Sequence, residues 1–389
     1  MFGNNGFALS EMRMIACKDG GGENWIEHGF DCNTKIPPWE GIVLAHFVWH
    51  ATFSFVKRAL VTGGSGFLGK AIVKRLLAQG WVVSSLGRSP QAELKSLGVK
   101  VLQGDLASAE DTLQACRGMD AVFHVAAKAG VWGPWDAYFK TNVVGTSNIV
   151  DACNKCGVPR LVYTSTPSVV FNGEALNGAN ESMPYGSNWL CHYAHSKAIA
   201  EKIALDADTP GGLRVTALRP HLIWGVEDPH LIPRVLTQAR AGKLRVVGSG
   251  DTQVDITHVD NAADAHLLAL EALEGESVAG GKPYFITQGE PVNLWDWLNT
   301  LLERVGIPAV TKSVSYSTAY RVGAVLEGAY RLLRLSGEPR MTRFVAVELA
   351  KNHTFSIDAA RRDLGYEPNV STESGLDELV KQIKETGSA

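Results

Sequence analysis

The chain has 389 residues, 45% hydrophobic and 20% charged, with a formal net charge of -3. This supplies the apolar area for a large core, and the small charge without blocks of one sign excludes the long-range attraction that a nucleic-acid binder uses. Six dispersed cysteines (Cys17, Cys32, Cys116, Cys153, Cys156, Cys191) are too few for a disulfide framework and favour a reducing, cytoplasmic compartment.

Residues 1 to 55 carry a glycine run at Gly20 to Gly22, a helix-breaking Pro37-Pro38 and no sustained periodicity. They read as an irregular extension or an upstream misreading of the start, with the natural product expected to begin near Val56. The most apolar stretch, residues 41 to 56, is short and carries His46 and His50. No run of 18 apolar residues occurs, so a spanning helix is not expected.

From Lys57 onward apolar strands and amphipathic helices alternate, which predicts an α/β fold with a doubly wound parallel sheet and a smaller C-terminal substrate lobe. Within the unit 56–385, residues 56–220 read mostly as the dinucleotide-binding core and 221–385 mainly as the substrate lobe. Strands are predicted at Lys57 to Val61, Trp81 to Leu86, Val99 to Leu102, Ala121 to Val125, Arg160 to Thr164 and Arg214 to Leu218. Helices are predicted over Leu68 to Gln79, stopped by Gly80, over Tyr138 to Cys156, stopped by Gly157, and from Tyr193 to about Leu205. Cys153 and Cys156 lack the second pair that a four-cysteine zinc site needs and read as two thiols in one helical turn.

Chemistry concentrates in two motifs. Between the first strand and the first helix, Thr62-Gly-Gly-Ser-Gly-Phe-Leu-Gly69 spaces glycines for a tight turn at Gly63, close approach of a pyrophosphate at Gly66 and helix packing at Gly69. With Ser65 and Phe67, these residues are expected to hold a dinucleotide at a helix N-terminus. The second strand ends in Ser84-Ser-Leu-Gly-Arg-Ser89, without the carboxylate that binds the ribose hydroxyls of NAD. Arg88 and the serine hydroxyls suit a 2'-phosphate, so NADP(H) is the expected cofactor. Asp105 and Leu106, after the third strand, are placed to meet the adenine.

Downstream, Tyr193 and Lys197 stand four residues apart and stack on one helical face. A tyrosine exchanges protons poorly at neutral pH, and a neighbouring ammonium is expected to lower its pKa. Lys197 can also hydrogen-bond a nicotinamide ribose. The strand ending Tyr163-Thr-Ser-Thr166 delivers hydroxyls to the carboxyl end of the sheet, with Thr166 the first choice for holding a substrate oxygen and Ser165 the second.

Taken with His124-Val-Ala-Ala127, Asn142-Val-Val-Gly-Thr146 and Leu218-Arg-Pro220, these motifs resemble the extended short-chain dehydrogenase/reductases, in the 3β-hydroxysteroid dehydrogenase branch, over about residues 57 to 385. The resemblance implies Tyr193 as proton donor, Lys197 as its partner, and Thr166 where the family usually has serine. Segments 125–133, 164–173 and 192–197 are most similar to the branch's β-keto acid reductases of bacterial long-chain olefin biosynthesis. That implies a hydrophobic β-keto acid substrate with two alkyl chains and assembly with a β-lactone synthetase and a β-lactone decarboxylase. A homo-oligomer is also expected.

Trp132, Trp135, Phe139, Phe171, Trp189 and Trp224 are candidates for an apolar pocket, and Lys128 for a substrate carboxylate. His192, His195, His221 and His258 lack a shared ligand spacing, and no metal site is expected. The amphipathic stretch Thr318 to Leu335 suits either inward packing or a peripheral contact with a membrane or partner. The competing activities are steroid oxidation at C3, sugar-nucleotide epimerisation and NADP sensing without turnover. Steroid oxidation favours NAD, which Arg88 argues against.

Overall fold

The structure, a computed structural model, describes residues 56–275 and 278–387. The reading of residues 1 to 55 therefore lies outside the described residues, as do Cys17 and Cys32.

Seven parallel strands form the main sheet: β1 (Arg58–Thr62), β2 (Val82–Gly87), β3 (Lys100–Gln103), β4 (Ala121–His124), β5 (Arg160–Thr164), β6 (Arg214–Pro220) and β7 (Pro283–Ile286). Their order is β7-β6-β5-β4-β1-β2-β3. This is the expected doubly wound sheet, and its order reverses between β1 and β4, where such folds open a crevice at the carboxyl ends of the strands. Near-continuous burial along β1, β4 and β5 fits strands covered on both faces.

The helices are α1 (Phe67–Ala78), α2 (Ala92–Ser96), α3 (Ala109–Cys116), α4 (Trp135–Tyr138), α5 (Gly145–Cys156), α6 (His192–Asp206), α7 (Leu231–Arg240), α8 (Val259–Glu271), α9 (Leu294–Arg304), α10 (Tyr316–Leu332) and α11 (Arg343–Glu348), with two more beyond. In α1, Leu68, Ile72, Val73 and Leu76 face the sheet, each burial worth about 1.5–3 kcal/mol. Gly157 ends α5 in the left-handed conformation at φ 67°, as a glycine stop requires.

The helix predicted over Tyr138 to Cys156 is present as one unbroken helical run that begins earlier, at Trp135, and changes pitch partway. Between α4 and α5, Phe139–Val144 form a wider π-helical turn. Cys153 is buried in α5 beside Cys116, and that contact with burial pushes its thiol pKa up.

A second apolar core lies under a four-stranded sheet of Val292–Asn293, Gln253–Val254, His353–Phe355 and Leu176–Ala179. Its members include Trp224, Trp295, Trp297 and Leu301. Leu176–Ala179 reaches this sheet from before residue 220, whereas β7 returns to the main sheet from beyond it.

Candidate active site

The glycine loop is built by exclusion of side chains. Gly63 turns at φ 69° and a Cβ there would press on the Ala126 backbone at 2.9 Å, while one at Gly69 would fall inside the Gly63 carbonyl oxygen. The Gly66 N–H donates to the Gly63 carbonyl at 2.9 Å, and α1 starts there with free N–H groups facing the crevice.

Beneath the loop, a buried chain of polar groups holds β1 to β4. The Thr146 hydroxyl donates to the Asn142 carbonyl at 2.6 Å, so it accepts from His124 Nε2 at 3.0 Å, and His124 Nδ1 accepts from the Thr62 hydroxyl at 2.8 Å. That hydroxyl accepts from Ala126 N–H at 3.1 Å. Burial, and behind it the Lys197 charge, push the His124 pKa down to about 3, so its ring is neutral at every ordinary pH.

A cavity of about 650 Å³ runs from this loop along the sheet's carboxyl edge. Gly63, Ser65, Gly66, Phe67 and Gly69 line one end, with Arg88, Ser89, Asp105 and Leu106 beside them, and Thr164, Ser165, Thr166, Tyr193 and Lys197 line the other. The structure thus brings to one cavity the glycine loop, Arg88, Asp105 and Leu106 nominated for the cofactor and Ser165, Thr166, Tyr193 and Lys197 nominated for the chemistry. Arg88 is exposed, and its side chain has no ion pair among the described residues. The serines are less available than expected: Ser84 and Ser85 are buried, Ser85 Oγ donates to Gln91 at 2.7 Å, and Ser89 is the hydroxyl left on the cavity. Asp105 accepts from Ala107 N–H and lies 3.5 Å from Lys140.

At the other end, α6 presents Tyr193 and Lys197 to the cavity. Lys197 Nζ donates to the Thr164 carbonyl at 2.6 Å and stands 4.1 Å above the Tyr163 ring. Burial lowers its pKa to about 7 against a smaller upward pull from Glu201. Burial raises the Tyr193 pKa to about 12, and the Thr166 hydroxyl, within bonding reach, pulls it partway back. The expected lowering of the phenol by Lys197 is therefore not what this geometry does. The ammonium is committed to a backbone carbonyl and another ring, and desolvation governs Tyr193. Ser165 Oγ is buried without a hydrogen-bond partner.

Two anchors escaped the sequence reading. Asn142, quoted there only within a motif, accepts from Lys128 N–H at 2.7 Å and donates to the Lys128 carbonyl at 3.1 Å and Ser196 Oγ at 2.9 Å. It ties the loop after β4 to the helix of Tyr193. One turn beyond Lys197, the buried Glu201 carboxylate pairs with Arg219 at 2.5 Å and accepts from Tyr185 at 2.9 Å. A second charged residue among the alanines of α6, one turn past Lys197 on the same face, was the signal available for Glu201.

Other nominated residues stand elsewhere. Lys128 Nζ faces the Tyr138 ring at 5.1 Å and is not on the 650 Å³ cavity. Trp224 is fully buried between His258 and Trp297, Phe171 packs on Phe344, and Phe139 is on the surface against Trp135. Trp132 and Trp189 line a second cavity. His192 and His195 contact Trp135, and His258 caps α8. His221 does join a cluster with His353 and Glu348. Hydrogen bonds already organise it: His353 Nε2 donates to the Glu348 carbonyl at 2.7 Å, leaving Nδ1 to accept from His221 Nε2 at 2.7 Å. The helix from Thr318 is α10. Ala319, Gly323 and Glu327 pack inward, whereas Val322 and Val325 are exposed, so the expected apolar face is only partly used. No helix among the described residues is long and apolar enough to cross a membrane.

The cavity's donor set fits a dinucleotide: a glycine cradle that any Cβ would fill, a helix N-terminus, a cation without an acidic neighbour, and a buried ammonium beside an orphaned hydroxyl. Residues 60–315 match the model of the 3-beta hydroxysteroid dehydrogenase/isomerase family. The chain is similar to the 2-alkyl-3-oxoalkanoate reductase of Shewanella oneidensis, with 52% identity over 84% of this chain and 87% of that one. It is similar to the human sterol-4-alpha-carboxylate 3-dehydrogenase, decarboxylating, with 32% identity over 84% and 88%. Among solved structures, a dTDP-glucose 4,6-dehydratase of Streptomyces venezuelae (a double mutant of DesIV, with NAD bound) superposes with a TM-score of 0.68 and 25% identity, over 85% of this chain and 98% of that one.

Proposed function

The chain belongs to the 3-beta hydroxysteroid dehydrogenase/isomerase family, and on that footing we propose that it reduces the 3-keto group of 2-alkyl-3-oxoalkanoic acids to the 3-hydroxy acid, using NADPH. The observation that carries this is a phenol, Tyr193, held protonated at neutral pH at the end of a dinucleotide-shaped cavity, in a chain half identical to a reductase of that name. When bound, the reduced nicotinamide supplies the hydride that the ketone carbon takes up.

The chain's own residues do the rest. The loop of Gly63, Gly66 and Gly69 with the start of α1 holds a diphosphate, and Arg88 with Ser89 suits a 2'-phosphate. Lys197, fixed by the Thr164 carbonyl, offers its remaining protons to a ribose. Thr166 orients the Tyr193 hydroxyl, and Tyr193 gives its proton to the ketone oxygen as that oxygen becomes an alcohol. A phenol raised to about 12 is poised to hold a proton until a developing alkoxide takes it. The product β-hydroxy acid is the class of compound that a β-lactone-forming enzyme consumes.

The test is NADPH oxidation with a 2-alkyl-3-oxo acid, run beside NADH and beside a 3β-hydroxysteroid with NAD. The keto acid with NADPH is expected to turn over fastest, and Tyr193→Phe to lose about 10²–10⁴-fold while still binding NADPH. Turnover of the steroid without turnover of the keto acid would overturn the reading in favour of the sterol dehydrogenase relatives.

A further inference from the structure

A second cavity of about 640 Å³ opens where the loop after β4, the residues leading into α6 and the C-terminal end of α10 meet. Its lining is mostly hydrocarbon and rings, including Val131, Trp132, Pro134, Trp189, Leu190 and Leu335. Of the three arginines on it, Arg334 is exposed and the other two are engaged. Arg331 lies over the Trp132 ring at 5.3 Å, and Arg343 pairs with Glu327 at 2.8 Å. Trp132 also meets Tyr330 edge-on at 6.2 Å, so α10 is held as a wall against the β4 loop.

This cavity adjoins the chemistry. Cys191 and His192, which line it, directly precede Tyr193, and Val131, Trp189 and Leu190 pack on the same buried cluster as the Tyr193 ring. The first cavity, of similar size, is assigned to the dinucleotide at its glycine-loop and Arg88 end. Leu335, which lines the second, is 47% exposed, and its sequence neighbours Leu333 and Leu332 are 64% and 83% exposed, so the end of α10 carries apolar side chains on the surface. The volume lies within the usual range of small-molecule sites.

We propose that this second cavity receives one alkyl chain of the acyl substrate, with the end of α10 setting the chain length accepted. The inference rests on the reductase reading for the identity of the substrate, and the experiment separates the two. Leu335→Trp, at a half-exposed position that tolerates the bulk, narrows the mouth; displacing two methylenes costs about tenfold in affinity. In the full-length protein, kcat/KM for a 2-alkyl-3-oxo acid with long chains is expected to fall about tenfold or more, mainly through KM. A 2-methyl-3-oxobutanoate, too short to reach the cavity, keeps its value. An equal fall for both substrates, or no change for the long one, overturns the proposal. A second readout needs no turnover: a dansyl-labelled undecanoic acid is expected to bind the wild-type chain about tenfold more tightly than Leu335→Trp, and equal affinity overturns the cavity assignment. Should neither keto acid be reduced by the wild type, the reductase reading fails, and the fatty-acid probe still decides whether the cavity holds hydrocarbon.

Discussion

Replacing Glu201 with glutamine tests how the fold sustains its catalytic helix. The carboxylate is inaccessible and the Arg219 side chain is 3% exposed, the two being joined by contacts of 2.5 to 3.2 Å. Glutamine keeps the shape but removes the charge, leaving a buried guanidinium uncompensated, at a cost of about 3–5 kcal/mol. For a unit of this size that lowers the melting temperature by roughly 4–7 °C. A second consequence follows at Lys197, whose ammonium Glu201 favours. Without that carboxylate the lysine pKa drops below its present value of about 7, the ammonium is lost at lower pH, and the alkaline limb of kcat/KM moves downward. Thermal melts and a pH profile of NADPH oxidation measure both. Pairing Glu201→Gln with Arg219→Met removes both charges, so it is expected to restore most of the stability without restoring the pH limb. An unchanged melting temperature with an unshifted limb would refute the argument.

Gly69→Ala puts a methyl into the Gly63 carbonyl and forces the loop open, so NADPH affinity measured by fluorescence titration is expected to fall at least about 100-fold; retained affinity would show that the loop yields. Lys197→Met alters the pH dependence of stability. Between about pH 7 and 10.5 the unfolded wild type binds a proton that the folded state has released, so stability rises with pH by up to about 1.4 kcal/mol per unit, and the variant should lack this increment in urea melts at pH 7 and pH 9. Arg88→Glu is expected to lower kcat/KM with NADPH by about 10–100-fold and to spare NADH; equal losses with both would remove Arg88 from cofactor choice.

Much of the site was legible because its determinants are local. Gly63, Gly66 and Gly69 are spaced by the needs of one turn, and Tyr193 and Lys197 by one helical pitch, so both survive translation into a linear pattern. The buried strands were legible as apolar runs bounded by glycine and polar residues. What escaped depends on partners that carry no signature. Lys197 is anchored by the Thr164 carbonyl, a backbone atom that any residue would offer, and this diverts its charge from Tyr193. Glu201 and Arg219 meet only because α6 packs beside β6, and Trp224 could not be told from a pocket residue until its two ring neighbours were in place. The exposed face of α10 follows from Gly323 packing on Thr342 and Arg343, which turns Val322 and Val325 outward.

The wide turn at Phe139–Val144 sets a tolerance for insertion and deletion. Tyr138 is fastened upstream by its hydroxyl to the Gly130 and Trp132 carbonyls, and Asn142 and Thr146 are fastened downstream to Lys128, Ser196 and His124. A π-helical turn holds one residue more than the α turn it replaces, so losing one residue there tightens it to ordinary pitch and leaves α5 nearly in phase, whereas losing one from the regular turns of α5 would swing everything after it by about 100°. A one-residue deletion in this stretch is therefore expected to cost least at the wide turn.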